Sequence, residues 1–239
     1  MSELWVTRLG TIDYDDALDL QHRLRDARAE GLIPDTLLLL EHPPVYTRGR
    51  RSEPSELPMG EDWYRQQGIA IRDVDRGGKV TYHGPGQLVG YPILDTAIVA
   101  RDIPRLVDTI ERAMIAALAA EGVYARPDAA GRGVWAGTDA TEGKIGSIGL
   151  HVANGIATHG FMVNVDNDLQ PFTWIKPCGL DDAATSIAEQ TGAFGRISCF
   201  SKRIAFELAS GLDLRQRLVT KSRLLDTLDH SPQSRLATI

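Results

Sequence analysis

Cys178 and Lys144 are the two side chains whose types and settings invite chemistry. The cysteine stands in Ile175-Lys176-Pro177-Cys178-Gly179-Leu180. Pro177 removes a backbone donor and restricts Lys176, while Gly179 reaches backbone conformations closed to other residues. A cysteine on such a rigid turn, with the following amide able to face a substrate, suits a nucleophilic thiolate better than a packing role. A free thiol has a pKa of about 8.5, so a thiolate near neutral pH needs a positive neighbour. The best-placed one in sequence is Lys144, within Gly143-Lys144-Ile145-Gly146-Ser147-Ile148-Gly149. The alternative for a single cysteine is an inert buried role. Cys199, beside Phe200 at the start of a predicted helix, fits that alternative.

A second cluster is the stretch Arg76-Gly77-Gly78-Lys79-Val80-Thr81-Tyr82-His83-Gly84-Pro85-Gly86-Gln87. Its glycines let a ligand approach the backbone, and successive N–H groups can bind a carbonyl or phosphate oxygen. Neither the Walker order nor the dinucleotide fingerprint is present. The plainer reading is a hairpin with Gly84-Pro85-Gly86 at its tip. His83 and His159 suit acid–base work, donation to a carbonyl oxygen, or a structural hydrogen bond. Asp181 and Asp182 read as caps for a helix from Ala183, and Trp135 and Trp174 as core or pocket wall.

The elements that must position these groups follow from periodicity. Helices are predicted over Asp15–Glu30, stopped by Gly31, and from Asp102 with Pro104 to Gly122. Another covers 199–210, where Phe200, Ile204 and Leu208 share a face. Thr36–Leu40 suits a buried strand, Ile69–Val74 a strand entering the glycine-rich stretch, and residues 51–62 a surface loop. Asn154-Gly155 is a two-residue hairpin turn between extended segments. Without bulges, facing residues have numbers that sum to 309. Lys144 then pairs with Val165, Gly146 with Val163, Ile148 with Phe161 and Leu150 with His159, all on one face. That places Lys144 at the end of an apolar stripe. Gly146 and Gly149 are the positions where a bulge would break this pairing.

The 239 residues allow one large domain or two small ones, and 43% hydrophobic residues suffice for a sizeable core. A net charge of −6 argues against general nucleic-acid binding, although Arg48-Gly49-Arg50-Arg51 forms a local basic patch or a solvated loop. Two cysteines in unlike contexts imply no disulfide framework, so a reducing cytoplasm is expected. Four-ligand zinc spacing is absent. The N-terminal residues lack signal-peptide features, and no apolar run approaches ~18 residues, so no membrane span is expected.

Four segments in order resemble the lipoyl(octanoyl) transferases: residues 76–87, Gly143-Lys144-Ile145, Thr158-His159-Gly160-Phe161-Met162-Val163-Asn164, and Pro177-Cys178-Gly179. Glu41-His42-Pro43-Pro44-Val45-Tyr46-Thr47 adds a fifth, and the likeness runs from about residue 5 to 210. It implies one catalytic domain over 1–215, with a weakly patterned tail over 216–239. The implied fold is α+β: mixed β-sheets forming a cleft with helices packed outside, as in the biotin/lipoate ligase catalytic domain. The implied reaction moves an octanoyl group from acyl carrier protein to a lysine of a lipoyl domain. Cys178 resembles the acyl-thioester nucleophile, and Lys144 the lysine that lowers its pKa. Arg76, Gly77, Gly78, Lys79, Val80, Thr81, Tyr82 and His83 would line the acyl site with Ser147, Ile148, Gly149, Gly160, Phe161 and Met162, and His159 would support it. Gly146-Ser147 stands where the family often has small alanines, which bears on pocket shape.

That resemblance implies no cofactor, ATP or metal, since the substrate carries its own phosphopantetheine. Its partners would be octanoyl-acyl carrier protein and the lipoyl domains of 2-oxoacid dehydrogenase complexes and the glycine cleavage protein, with no nucleic acid or membrane. Two rivals are an ATP-dependent lipoate or biotin ligase and a non-catalytic acyl-binding scaffold. Cys178 within Pro-Cys-Gly speaks against the first, and its coexistence with Lys144 against the second.

Overall fold

The computed structural model of the chain describes residues 2–99, 102–128, 133–138, 142–176 and 183–229. It opens with strand β1 (Glu3–Thr11), helix α1 (Tyr14–Ala29), and strands β2 (Asp35–Glu41) and β3 (Val45–Arg48). A 3-10 turn at Pro54–Glu56 leads into α2 (Glu61–Gln66), β4 (Ala70–Asp73), β5 (Val80–His83) and β6 (Gln87–Asp95). Next come α3 (Thr96–Val99), α4 (Ile103–Ala120), β7 (Ala125–Pro127), β8 (Gly133–Ala136), β9 (Gly143–Ala153) and β10 (Ile156–Asn164). The chain continues through α5 (Gln170–Thr173), α6 (Ile187–Thr191), α7 (Ile197–Gly211), β11 (Arg215–Leu218) and α8 (Lys221–Asp229).

Among the described residues, eight strands form one mixed sheet in the order β11-β1-β2-β6-β10-β9-β8-β7, and β4-β3-β5 form a small second sheet. Leu37 and Leu39 of β2 enter one core, with α4 and α7, while Leu38 and Leu40 enter the other, with α1 and α8. That is why residues 37–40 are unbroken leucine: a strand covered on both faces has no polar side. This is the expected mixed-sheet α+β architecture with helices outside.

The helices begin and end where their caps allow. Asp102 accepts a hydrogen bond from the Arg105 N–H at 2.7 Å, Pro104 occupies the first turn, and Gly122 at φ +82° follows the helix end. The helix predicted from Ala183 instead starts at Ile187, because Ser186 caps it by accepting from the Glu189 N–H. Residues 51–62 carry the 3-10 turn and the start of α2, rather than loop alone. Beyond residue 215, weak patterning conceals two elements: β11 adds to β1 in parallel, and α8 buries Leu224 and Leu228 beside α1. Both elements are short and half-exposed, which leaves little periodicity to read. No described helix is long and apolar enough to cross a membrane.

The predicted hairpin register holds over eight pairs, from Ile156 opposite Ala153 to Val163 opposite Gly146. It stops before Lys144. Opposite β8 the pairing shifts by one residue between Val134 and Trp135, a bulge that carries Ile145 into the α4 core. Lys144 therefore pairs with Trp135 and bridges Ala184, not Val165, and leaves the apolar stripe.

Gly84-Pro85-Gly86 is not a hairpin tip, because β5 and β6 belong to different sheets. The three residues carry the chain across the gap between the sheets. Gly86 has φ +84°, and a Cβ there would lie 2.7 Å from the Asn167 nitrogen. Gly86→Ala is therefore expected to lower unfolding free energy by roughly 2 kcal/mol or more, read from urea denaturation. A change below roughly 0.5 kcal/mol would mean the crossing is not constrained as described.

Candidate active site

The two sheets and the β9–β10 hairpin enclose a cavity of 790 Å³. Its near wall is the glycine-rich segment after β4. The Gly77 N–H donates to the Leu150 carbonyl at 3.0 Å, and a Cβ on Gly149 would lie 3.0 Å from the Gly77 oxygen. The loop can lie this close to β9 only because glycine faces glycine. Val80, Val89, Val107, Ile148, Phe161 and Phe172 supply apolar wall, and Ile103 and Ile175 extend it.

Of the residues expected to line an acyl site, Arg76, Gly77, Gly78, Lys79, Val80, Thr81 and His83 line this cavity, with Ser147, Ile148, Gly149, Gly160, Phe161, Met162, Lys144 and His159. Tyr82 does not. Its ring packs in the core of the small sheet, against Tyr46 and Phe172. Trp174 packs edge-on against Trp63, and Trp135 stands beneath the Arg126 guanidinium, so neither lines the cavity. Residues 177–182, with Cys178, Gly179, Asp181 and Asp182, lie outside the described residues. Ile175, two residues before this segment, and Ala183, directly after it, both line the cavity. The Ala183 carbonyl accepts the Lys144 N–H at 2.7 Å, and the Lys144 carbonyl accepts the Thr185 N–H at 3.2 Å.

The polar end of the cavity rests on buried hydrogen-bond chains that fix each ring. Asn164 donates to the Thr185 carbonyl, and Gln87 donates to both Asn164 Oδ1 and the Tyr82 carbonyl. Gln87 Oε1 must then accept, so His83 donates from Nδ1 at 2.7 Å. His42 Nδ1 donates to the Ile12 carbonyl, which leaves its Nε2 to accept from the Tyr91 hydroxyl at 2.7 Å. Arg76 donates to the Thr47 carbonyl and hydroxyl, and no carboxylate pairs with it among the described residues. Its guanidinium is thus a buried positive charge in the wall.

His159 pairs with Leu150 as expected, but its φ of +54° turns the ring off the apolar stripe. Gln21 Oε1 accepts its backbone N–H, and Nε2 lies 2.6 Å from Asp75 Oδ1. Burial pushes the imidazole down to about 4, so it is neutral and donates that proton to the carboxylate. Desolvation pulls Asp75 up, yet the His159 hydrogen bond and the neighbouring histidines hold it below the usual range. His159 is thereby a fixed, neutral wall residue. Tyr14 and Tyr91 also line the cavity, and Asp128 pairs with Lys144; sequence reading passed over all three. Nothing in their local patterns marks them; each arrives from a distant element.

Burial, reinforced by the like charge of His42, pushes His83 down to about 3, and burial pushes His42 to about 4. In the unfolded chain these rings have pKa values of about 6.5. Between that value and their folded values, only the unfolded state binds the protons. Stability is full above about pH 6.5 and falls as pH drops, by on the order of 3 kcal/mol for His83 alone at pH 4. Urea unfolding at pH 7 and pH 5 is expected to show this loss before carboxylates titrate. A flat profile across that window would overturn the neutral assignments.

The mixed-sheet α+β fold is shared with lipoate and biotin protein ligases. The bipartite lipoate protein ligase of Thermoplasma acidophilum superposes with a TM-score of 0.68 at 16% identity, over 97% of this chain and 94% of that one. Biotin protein ligase of Aquifex aeolicus superposes at 0.52 and 14% identity, over 87% and 70%. The chain belongs to the family of the lipoyl protein ligase A/B catalytic domain, whose model matches residues 13–209. An octanoyltransferase of Mycolicibacterium smegmatis is 43% identical over 88% of this chain and 90% of its own length. Another, of Caldicellulosiruptor bescii, is 39% identical over 93% and 97%.

Proposed function

We propose that this chain is an octanoyltransferase, which moves an octanoyl group from acyl carrier protein to a lysine of a lipoyl domain through a thioester on Cys178. The observation that supports the thioester route is the convergence on one cavity of Lys144 with Ile175, two residues before the segment 177–182, and Ala183, directly after it. The apolar wall suits an alkyl chain, each buried methylene contributing about 0.8 kcal/mol.

In the first half-reaction the Cys178 thiolate, formed beside the Lys144 ammonium, attacks the thioester carbonyl of octanoyl-carrier protein. The pantetheine thiolate departs and takes a proton from Lys144. In the second, the neutral amine of the target lysine attacks the acyl-cysteine, the Cys178 thiolate leaves, and the nitrogen's proton passes to Lys144. The enzyme returns to its starting charge state. Backbone N–H groups near the Cys178-Gly179 turn hold each oxyanion. Thioester exchange is nearly balanced and the amide lies downhill, so the route requires no ATP, metal or bound cofactor. Acceptors of this kind are the lipoyl domains of 2-oxoacid dehydrogenase complexes and of the glycine cleavage protein.

Intact-protein mass after incubation with octanoyl-carrier protein tests the route. One octanoyl group added, lost on hydroxylamine treatment and absent from Cys178→Ser, is the expected result. Transfer from octanoate plus ATP without carrier protein would favour the ligase reaction instead.

A further inference from the structure

Asp128 follows β7, and its backbone N–H donates to the Gly133 carbonyl at the start of β8. Its carboxylate reaches past β8 to Lys144 on β9, with Oδ2 2.8 Å from Nζ. This is not a solvated surface pair: the Asp128 side chain is 8% exposed and the Lys144 side chain 25%. The lysine is therefore clamped at both ends. The segment 183–185 holds its backbone, and Asp128 holds its ammonium.

We infer that Asp128 is a positioning residue for transfer: it holds the Lys144 amine at the cavity and gives the ammonium formed in the amide-forming step an ion-pair partner. The inference rests on the Cys178–Lys144 reading above. When the target amine attacks, the proton must move from the attacking nitrogen to a neutral Lys144, and a carboxylate at 2.8 Å stabilises the ammonium so formed. The same negative charge opposes the Cys178 thiolate, because it offsets the ammonium that stabilises it. Asp128 thus aids amide formation and restrains the thiol, two effects of opposite sign.

That opposition gives the test. In a Cys199→Ser background, which removes a second thiol that is exposed and not buried as its sequence context suggested, Asp128→Asn is expected to raise the iodoacetamide alkylation rate of Cys178 roughly three- to tenfold at pH 7. Single-turnover transfer from the acyl-enzyme to a lipoyl domain is expected to fall about tenfold or more. With Lys144→Ala already present, Asp128→Asn should change single-turnover transfer by less than about twofold, since the carboxylate serves amide formation through the lysine. A parallel fall of both rates, or equal effects on transfer with and without Lys144, overturns the inference. Where the asparagine protein does not fold, Asp128→Glu decides. Near-native alkylation with substantial transfer supports the charge role, and joint loss overturns it. Should Lys144→Ala leave alkylation unchanged, the Cys178–Lys144 reading itself falls, whatever the Asp128 variants show.

Discussion

Cys178→Ser is expected to reduce transfer by roughly 10⁴-fold or more and to abolish the acyl-enzyme, while the fold survives. Serine is nearly isosteric, so packing is kept. Its hydroxyl is far less acidic than a thiol, and one ammonium cannot generate an alkoxide as it does a thiolate. Circular dichroism and the urea midpoint would confirm the fold, and stopped-time mass spectrometry would read acylation. Turnover near the native rate in this variant would end the covalent mechanism. Transfer would then have to pass directly from carrier thioester to lysine amine within the cavity.

Lys144 is the second large effect. Lys144→Ala should slow both half-reactions, by about 10²–10⁴-fold, because one amine gives the proton to pantetheine and takes one from the target lysine. Lys144→Arg separates its two roles. A guanidinium keeps the positive charge beside the thiol but does not release a proton at working pH. Alkylation of the arginine variant should therefore stay within a few-fold of native, while transfer stays close to the alanine level. Equal transfer by arginine and lysine would reduce the residue to a fixed charge. The Asp128 carboxylate at 2.8 Å sharpens this contrast, since it fits an ammonium at that place and a longer, planar guanidinium must displace it.

The sequence by itself determined what local rules can reach. Asn154-Gly155 set the hairpin and its register through eight pairs, because a two-residue turn leaves one pairing and the side-chain period is two. Asp102, Pro104 and Gly122 bounded α4, and the leucine run marked a strand buried on both faces. The ordered motifs identified the family, and they named most of the cavity wall, since a glycine pair where two loops touch leaves a trace in composition. The tertiary structure alone decided the rest. The bulge at Ile145 moved Lys144 off its predicted partner, because the shift is imposed by pairing with β8 and not by any residue type. Positive φ at His159 turned its ring from the apolar stripe to Asp75, 84 positions away. Tyr82 left the cavity for the aromatic core of the small sheet. Asp128 met Lys144 only because β7 and β9 flank β8. Each of these depends on contacts between segments distant in sequence, where periodicity carries no information and burial, charge and strand neighbours choose the outcome.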